Sequence, residues 1–150
     1  MLCIELILNA ERYCRVCKTE ILMTIIKHNP KSIFPPYTNY SHAVEINEKG
    51  RILFISGING FLLDGKTMPE AFMAQAEIIW GHIGSVLRSA DMSYENLVSL
   101  RVYLASREYS KQNAQLLPKY LGKHEPAITI ICCQLLDSKW KLEIEAVAAT

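Results

Sequence analysis

The sequence predicts an α+β domain with a mixed sheet and two helices gathered on one face. Three observations carry this. Residues 72–87 hold apolar side chains at helical spacing, the stretch 142–146 alternates between apolar and polar, and the elements between and around them follow the order ββαβαββ. The closing strand is the sharpest: Leu142, Ile144 and Ala146 fall on one face, with Glu143 and Glu145 on the other.

In chain order, residues 1–22 differ from the rest. They carry three of the five cysteines (Cys3, Cys14 and Cys17) and precede Met23, so residues 1–23 are read as an N-terminal extension and 24–150 as the domain. An upstream extension or early start codon is the preferred reading; a strand or helix packing on the domain is its rival. Asn29-Pro30 and Pro35-Pro36 mark an irregular entry. The alternation of His42, Val44 and Ile46 with Ala43 and Glu45 predicts a strand, Lys49-Gly50 a turn, and residues 51–56 a buried strand, together a hairpin. Phe72, Ala76, Ile79, Trp80, Ile83, Val86 and Leu87 mark a helix running to about Ala90, with Pro69 at its first position. Residues 98–104 read as a strand. Ser106 then caps a second helix that places Tyr109, Leu116, Leu117 and Tyr120 on its apolar side and ends at Gly122. Residues 129–133 and 142–148 are the last two strands.

Composition bounds the function. The 150 residues fit one domain, half are hydrophobic and 21% are charged, so a core is within reach without disulfides or metal. Net charge is +1 with the signs mixed, and Lys139 with Lys141 is only a short grouping, so no basic patch predicts nucleic-acid binding. No apolar run reaches the roughly 20 residues of a membrane span. The start, with Glu5 inside it and no basic residue before it, does not read as a signal peptide. An odd number of cysteines without framework spacing suits a reducing compartment, and a cytoplasmic location is expected.

Several motifs are weighed and set aside. Gly60-Phe61-Leu62-Leu63-Asp64-Gly65-Lys66-Thr67 fits a phosphate-binding loop letter for letter, yet Pro69 and Glu70 mark a later helix start and Asp64 would set a negative charge against phosphate. A surface turn at Asp64-Gly65 is the reading adopted. Cys14-Arg15-Val16-Cys17 lacks the second pair that structural zinc needs, and Cys132 and Cys133 are strand neighbours that point apart, so no metal site is expected. His42 and His82 are isolated in sequence, the first read onto a sheet face and the second onto a helix surface. The pair Glu143 and Glu145 would need a polar cleft, a subunit interface or solvent on its face.

With these residues in place, a family resemblance is visible. Asn39-Tyr40-Ser41-His42-Ala43-Val44, Phe54-Ile55-Ser56-Gly57, Gln75-Ala76-Glu77, Glu95-Asn96-Leu97-Val98, Val102-Tyr103-Leu104, Pro126-Ala127 and Leu142-Glu143-Ile144-Glu145-Ala146-Val147 resemble the successive blocks of the RidA (YjgF) family, in order, over residues 24–150. The resemblance implies a chorismate-mutase-like fold, a homotrimer, and small-molecule pockets in the clefts between subunits. It also implies hydrolysis of reactive imines and enamines such as 2-aminoacrylate by bound water, without a cofactor or metal. Carried over, Tyr40 and Glu143 take the catalytic positions. Ser56, Gly57 and Asn113 take substrate-binding ones, as do Ile128 and Ile130 on the segment after Pro126-Ala127. The family's arginine, which holds the substrate carboxylate, is replaced by Ile128. An isoleucine offers neither charge nor donor, so the ordinary 2-aminoacrylate reaction is not expected. Two readings stay open: a divergent imine or enamine hydrolase, and a non-catalytic trimer that binds a small molecule or a partner protein. RNA cleavage is disfavoured by the near-neutral charge.

Overall fold

The structure is a computed structural model and describes residues 24–36, 41–47 and 50–150. Its elements are β1 (Thr24–His28), β2 (Ala43–Asn47), β3 (Arg51–Ile58), α1 (Phe72–Ser89), β4 (Leu97–Leu104), α2 (Ser110–Leu121), β5 (Ala127–Cys132) and β6 (Leu142–Ala149). The strands form one six-stranded sheet in the order β1-β2-β3-β6-β4-β5. All neighbours are antiparallel except β4 and β5, which are joined through α2 and run parallel.

The α+β class and both helices are as expected, and the order ββαβαββ needs one correction. A strand, β1, precedes it and pairs with β2 from Thr24 against Asn47 to His28 against Ala43. It is a five-residue edge strand with Ile25 and Ile26 exposed. Its sequence therefore lacks the buried alternation that marks β2 and β6. Residues 1–23 and Tyr40 lie outside the described residues.

Burial follows the two-residue period. Leu100, Val102 and Leu104 of β4 and Leu142, Ile144, Ala146 and Ala148 of β6 face the helices and are nearly inaccessible. Against them α1 packs Ala76, Ile79, Trp80, Ile83, Val86 and Leu87, and α2 adds Leu116 and Leu121. Among the described residues no helix covers the opposite face of the sheet. There Ile52 and Phe54 of β3 are 41% and 46% exposed, beside Val147 of β6 in register with Phe54.

Helix starts differ from the sequence reading for a local reason. Pro69 stands before α1 rather than in it. Gln75, buried in the first turn, donates from Nε2 to the carbonyls of Pro69 (2.7 Å) and Lys139 (2.9 Å), and its Oε1 accepts from the Lys141 backbone (2.8 Å). One side chain thus ties the entry of α1 to the entry of β6. Ser106 caps a short 3-10 turn, Arg107–Tyr109, that runs into α2, and Gly122 ends α2 at a φ of 58°, a conformation that favours glycine.

Candidate functional site

The open face of the sheet assembles the polar residues. β6 is a central strand between β3 and β4, and it presents Glu143 and Glu145 on that face. In register, Tyr103 of β4 stands opposite Glu143 and Arg101 opposite Glu145. Arg101 donates from Nη1 to Glu145 Oε1 at 2.6 Å, and the Tyr103 hydroxyl donates to the same oxygen at 3.2 Å.

Glu143 is different. It makes no hydrogen bond to a described residue, and burial, with the negative Glu145 beside it, raises its carboxyl pKa above the ordinary value. Its place is set by β3. Between Ile55 and Ile58 the register with β6 shifts, so Ser56 and Gly57 form a bulge at that point. A Cβ built on Gly57 would lie 1.9 Å from Glu143 Oε1 and 2.9 Å from its carboxyl carbon. The glycine is there because the carboxyl group fills the space a side chain would need. Ser56 is held by donation from Oγ to the Ser41 carbonyl at 2.8 Å.

The remaining expected site residues do not join this group within one chain. Ile128 and Ile130 are in register with Leu100 and Val102, which puts them on the helix side of the edge strand β5. Ile128 packs partly against the core, and Ile130 is 43% exposed. Asn113, on α2, is fully buried, and neither polar atom of its amide has a partner among the described residues. Glu143, Gly57 and Ser56 thus stand together on the open face, whereas Asn113 on α2 and Ile128 and Ile130 on β5 lie on the helix side. Arg101 and Tyr103 were not legible as site residues. Strand alternation alone puts them on one face, but only the register places that face beside Glu143.

The histidines are corrected. His42 and His82 are neither isolated nor surface residues: both are buried, and both rings meet the edge of Phe34, with centroids at 5.3 and 5.5 Å. Asn29 Oδ1 accepts from the His42 backbone at 2.9 Å and lies 3.2 Å from its Nδ1, while His82 donates to the Phe61 carbonyl at 2.8 Å. Burial lowers both imidazole pKa values, and for His42 the proximity of His82 adds to the effect. Both are packed in the core, where burial disfavours the charged imidazolium.

The phosphate-loop motif is a turn. Asp64 Oδ1 accepts from the backbone N–H groups of Lys66 and Thr67 at 2.9 and 2.8 Å, the donors a phosphate would use, and α1 begins only at Phe72. These bonds, with that from the Thr67 hydroxyl, hold the Asp64 carboxyl down to about 2. Cys132 is exposed, Cys133 is partly covered, and both are free thiols. Among the described residues no helix is long and apolar enough to cross a membrane.

A family profile described as Endoribonuclease L-PSP matches residues 31–150. The chain belongs to this family, the RidA group. It is similar to Protein HMF1 of Saccharomyces cerevisiae, 27% identical over 111 residues that cover 74% of this chain and 84% of that protein. Its similarity to the mitochondrial Protein MMF1 of the same yeast is 23% over 127 residues, 85% of this chain and 86% of that one. The crystal structure of RidA from the Antarctic bacterium Psychrobacter sp. superposes with a TM-score of 0.76 at 22% identity, covering 83% of this chain and 99% of that chain. The chorismate-mutase-like fold expected from the sequence is thereby established.

Proposed function

We propose that the protein hydrolyses a small imine or enamine other than 2-aminoacrylate, with Glu143 as its acid–base group, in clefts between the subunits of a homotrimer. The observation that carries this reading is Glu143 itself. It is a partly buried carboxyl on a central strand, free of hydrogen bonds to described residues and raised in pKa, with a glycine opposite that leaves room for it.

Such a group can take a proton from water as the water oxygen adds to the C=N carbon. The nitrogen gains a proton, the carbinolamine collapses to a carbonyl, and ammonia leaves while the carboxylate is regenerated. An enamine first takes a proton on carbon to become the imine. Tyr40, outside the described residues, is assigned to help orient the water, and Ser56 and Gly57 border the bound substrate.

The trimer supplies the rest. Asn113, Ile128 and Ile130 stand apart from Glu143 in one chain, so a complete pocket calls for a second copy. The apolar open face around Phe54 is suited to such an assembly. Ile128 in the arginine position removes the usual carboxylate partner. The free thiols of Cys132 and Cys133 suit a reducing compartment. We place the protein in the cytoplasm; a fluorescent fusion distinguishes this from the mitochondrion named for one yeast relative.

The test is ammonia release from a panel of imines, including 2-aminoacrylate, 2-iminopropionate and imines without an adjacent carboxylate. Slow turnover of the first two and faster turnover of another member is the expected result. Ordinary family activity on 2-aminoacrylate would overturn the role given to Ile128. No ammonia from any member would overturn the enzyme and leave the non-catalytic trimer, whose mark is thermal stabilisation by a ligand without turnover.

A further inference from the structure

The two buried histidines share one ring, and one of them is tied by its backbone to the niche of Glu143. Phe34 is 1% exposed, His42 1% and His82 7%. Phe34 belongs to the segment 29–36 between β1 and β2, where the backbone bond from Ile33 to the Pro30 carbonyl (3.3 Å) is local. Side chains fasten that segment to the domain. Asn29 bonds to His42, and Phe34 makes T-shaped contacts with both imidazoles and with Phe61. On the other side, the His42 carbonyl accepts from the Ser56 N–H at 2.9 Å, and the Ser41 carbonyl accepts from the Ser56 hydroxyl at 2.8 Å. Ser56 belongs to the bulge whose Gly57 lies against the Glu143 carboxyl. A chain of contacts thus runs from His82 through Phe34, His42 and the bulge to Glu143.

We propose that His42 and His82 form a proton-operated latch on the Glu143 site: when the imidazoles charge, Phe34 leaves them and the segment bearing Ser41 and His42 lets go of the bulge at Ser56 and Gly57. The proposal rests on the hydrolase reading for its effect on turnover and on the contact chain for the rest. The surroundings favour neutral rings. Burial disfavours charge on both, and from α1 His82 adds to that effect on His42. From the segment 29–36, the cation Lys31 lines the same recess as His42. From the loop after β3, the Phe61 carbonyl accepts from His82, and the Asp64 carboxylate is turned to Lys66 and Thr67. From β3 comes the neutral Ser56. Once released, each ring returns toward the ordinary value of 6.5. The closed latch is therefore fully favoured above 6.5 and is lost as pH falls through the two lowered values.

The test is NMR on the full chain between pH 7.5 and 5, following the two imidazoles and the hydrogen-exchange protection factor of the Ser56 amide, with Val102 of β4 as the reference. In the wild type both rings should titrate below 6.5, and Ser56 protection should fall with them by about tenfold more than that of Val102. His82→Gln keeps a donor for the Phe61 carbonyl and cannot charge, so it should cut that fall at least threefold. Rings that titrate at the ordinary value overturn the proposal, as does a His82→Gln variant whose Ser56 protection falls as far as in the wild type. Should that variant not fold, the wild type decides alone: Ser56 protection that does not follow the imidazole titration overturns the latch. Ammonia release from the imine panel is read separately at pH 7.5. No turnover together with a fall in protection that tracks the rings overturns the hydrolase reading and leaves the latch in place.

Discussion

Glu45 and Glu143 sit on opposite faces of one sheet, and the protein treats them in opposite ways. Glu45, on β2, faces the helices and is 2% exposed. It accepts from Arg51 Nε at 2.6 Å and from His28 Nε2 at 2.8 Å. Arg51 also donates to the Ala90 carbonyl just beyond α1, and Ser89 Oγ lies 3.2 Å from His28 Nδ1. This cluster fastens the edge strand β1 to the end of α1. The Arg51 hydrogen bond lowers the Glu45 pKa despite burial. Glu143 has burial without such partners among the described residues, and its pKa moves the other way. A charge that is satisfied serves structure, whereas one left without donors is available for chemistry.

The comparison can be broken by substitution. The largest expected effect on stability is Glu45→Ala, which strands Arg51 and His28 and should cost about 3 kcal/mol in urea unfolding. The pH dependence follows the lowered pKa. Glu45's contribution is in place above the ordinary value of 4.5 and is lost as pH falls through its folded value. Wild type and Glu45→Ala should therefore converge in stability under acid conditions. A constant gap between them down to low pH would show that packing, not ionisation, makes the difference.

Gly57→Ala should have an intermediate effect, about 1–2 kcal/mol from overpacking. Its more telling result is a move of the Glu143 carboxyl out of its niche, read by ¹³C NMR titration as a fall in its pKa toward the ordinary value. An unchanged titration would show that the bulge does not position the group.

The smallest effect has the opposite sign. Ionising Glu143 in the folded protein is disfavoured, so Glu143→Gln should stabilise the protein at pH 7 by about 0.5 kcal/mol. That gain should vanish as pH falls through the raised folded pKa toward 4.5, where the wild-type carboxyl becomes protonated in both states. Destabilisation at pH 7 would mean that the carboxylate has favourable partners after all.

Much of this architecture was legible from periodicity. Alternation located β2 and β6 and set Glu143 and Glu145 on one face, and the 3.6-residue period located α1; β3 was read as a buried strand, whereas its Ile52 and Phe54 are exposed on the open face. What periodicity cannot carry is register between strands distant in sequence. The pairing of Arg101 with Glu145, and the placing of Ile128 on the face away from Glu143, depend on how β4, β5 and β6 align. The bulge at Ser56 and Gly57 shifts one strand by a residue with no mark beyond the glycine itself. Phe34 in a loop meets His42, just before β2, and His82 on α1, a contact made by tertiary packing alone. Edge strand β1 lacks the burial contrast that would have announced it.

The central claim, that Glu143 is the proton-transferring group of an imine hydrolase, is tested most directly by ammonia release from the imine panel with wild type and Glu143→Gln, alongside their melting temperatures. The account predicts a rate loss of roughly 10²–10⁴-fold in a variant that folds at least as stably at pH 7. Undiminished turnover by folded Glu143→Gln would contradict it.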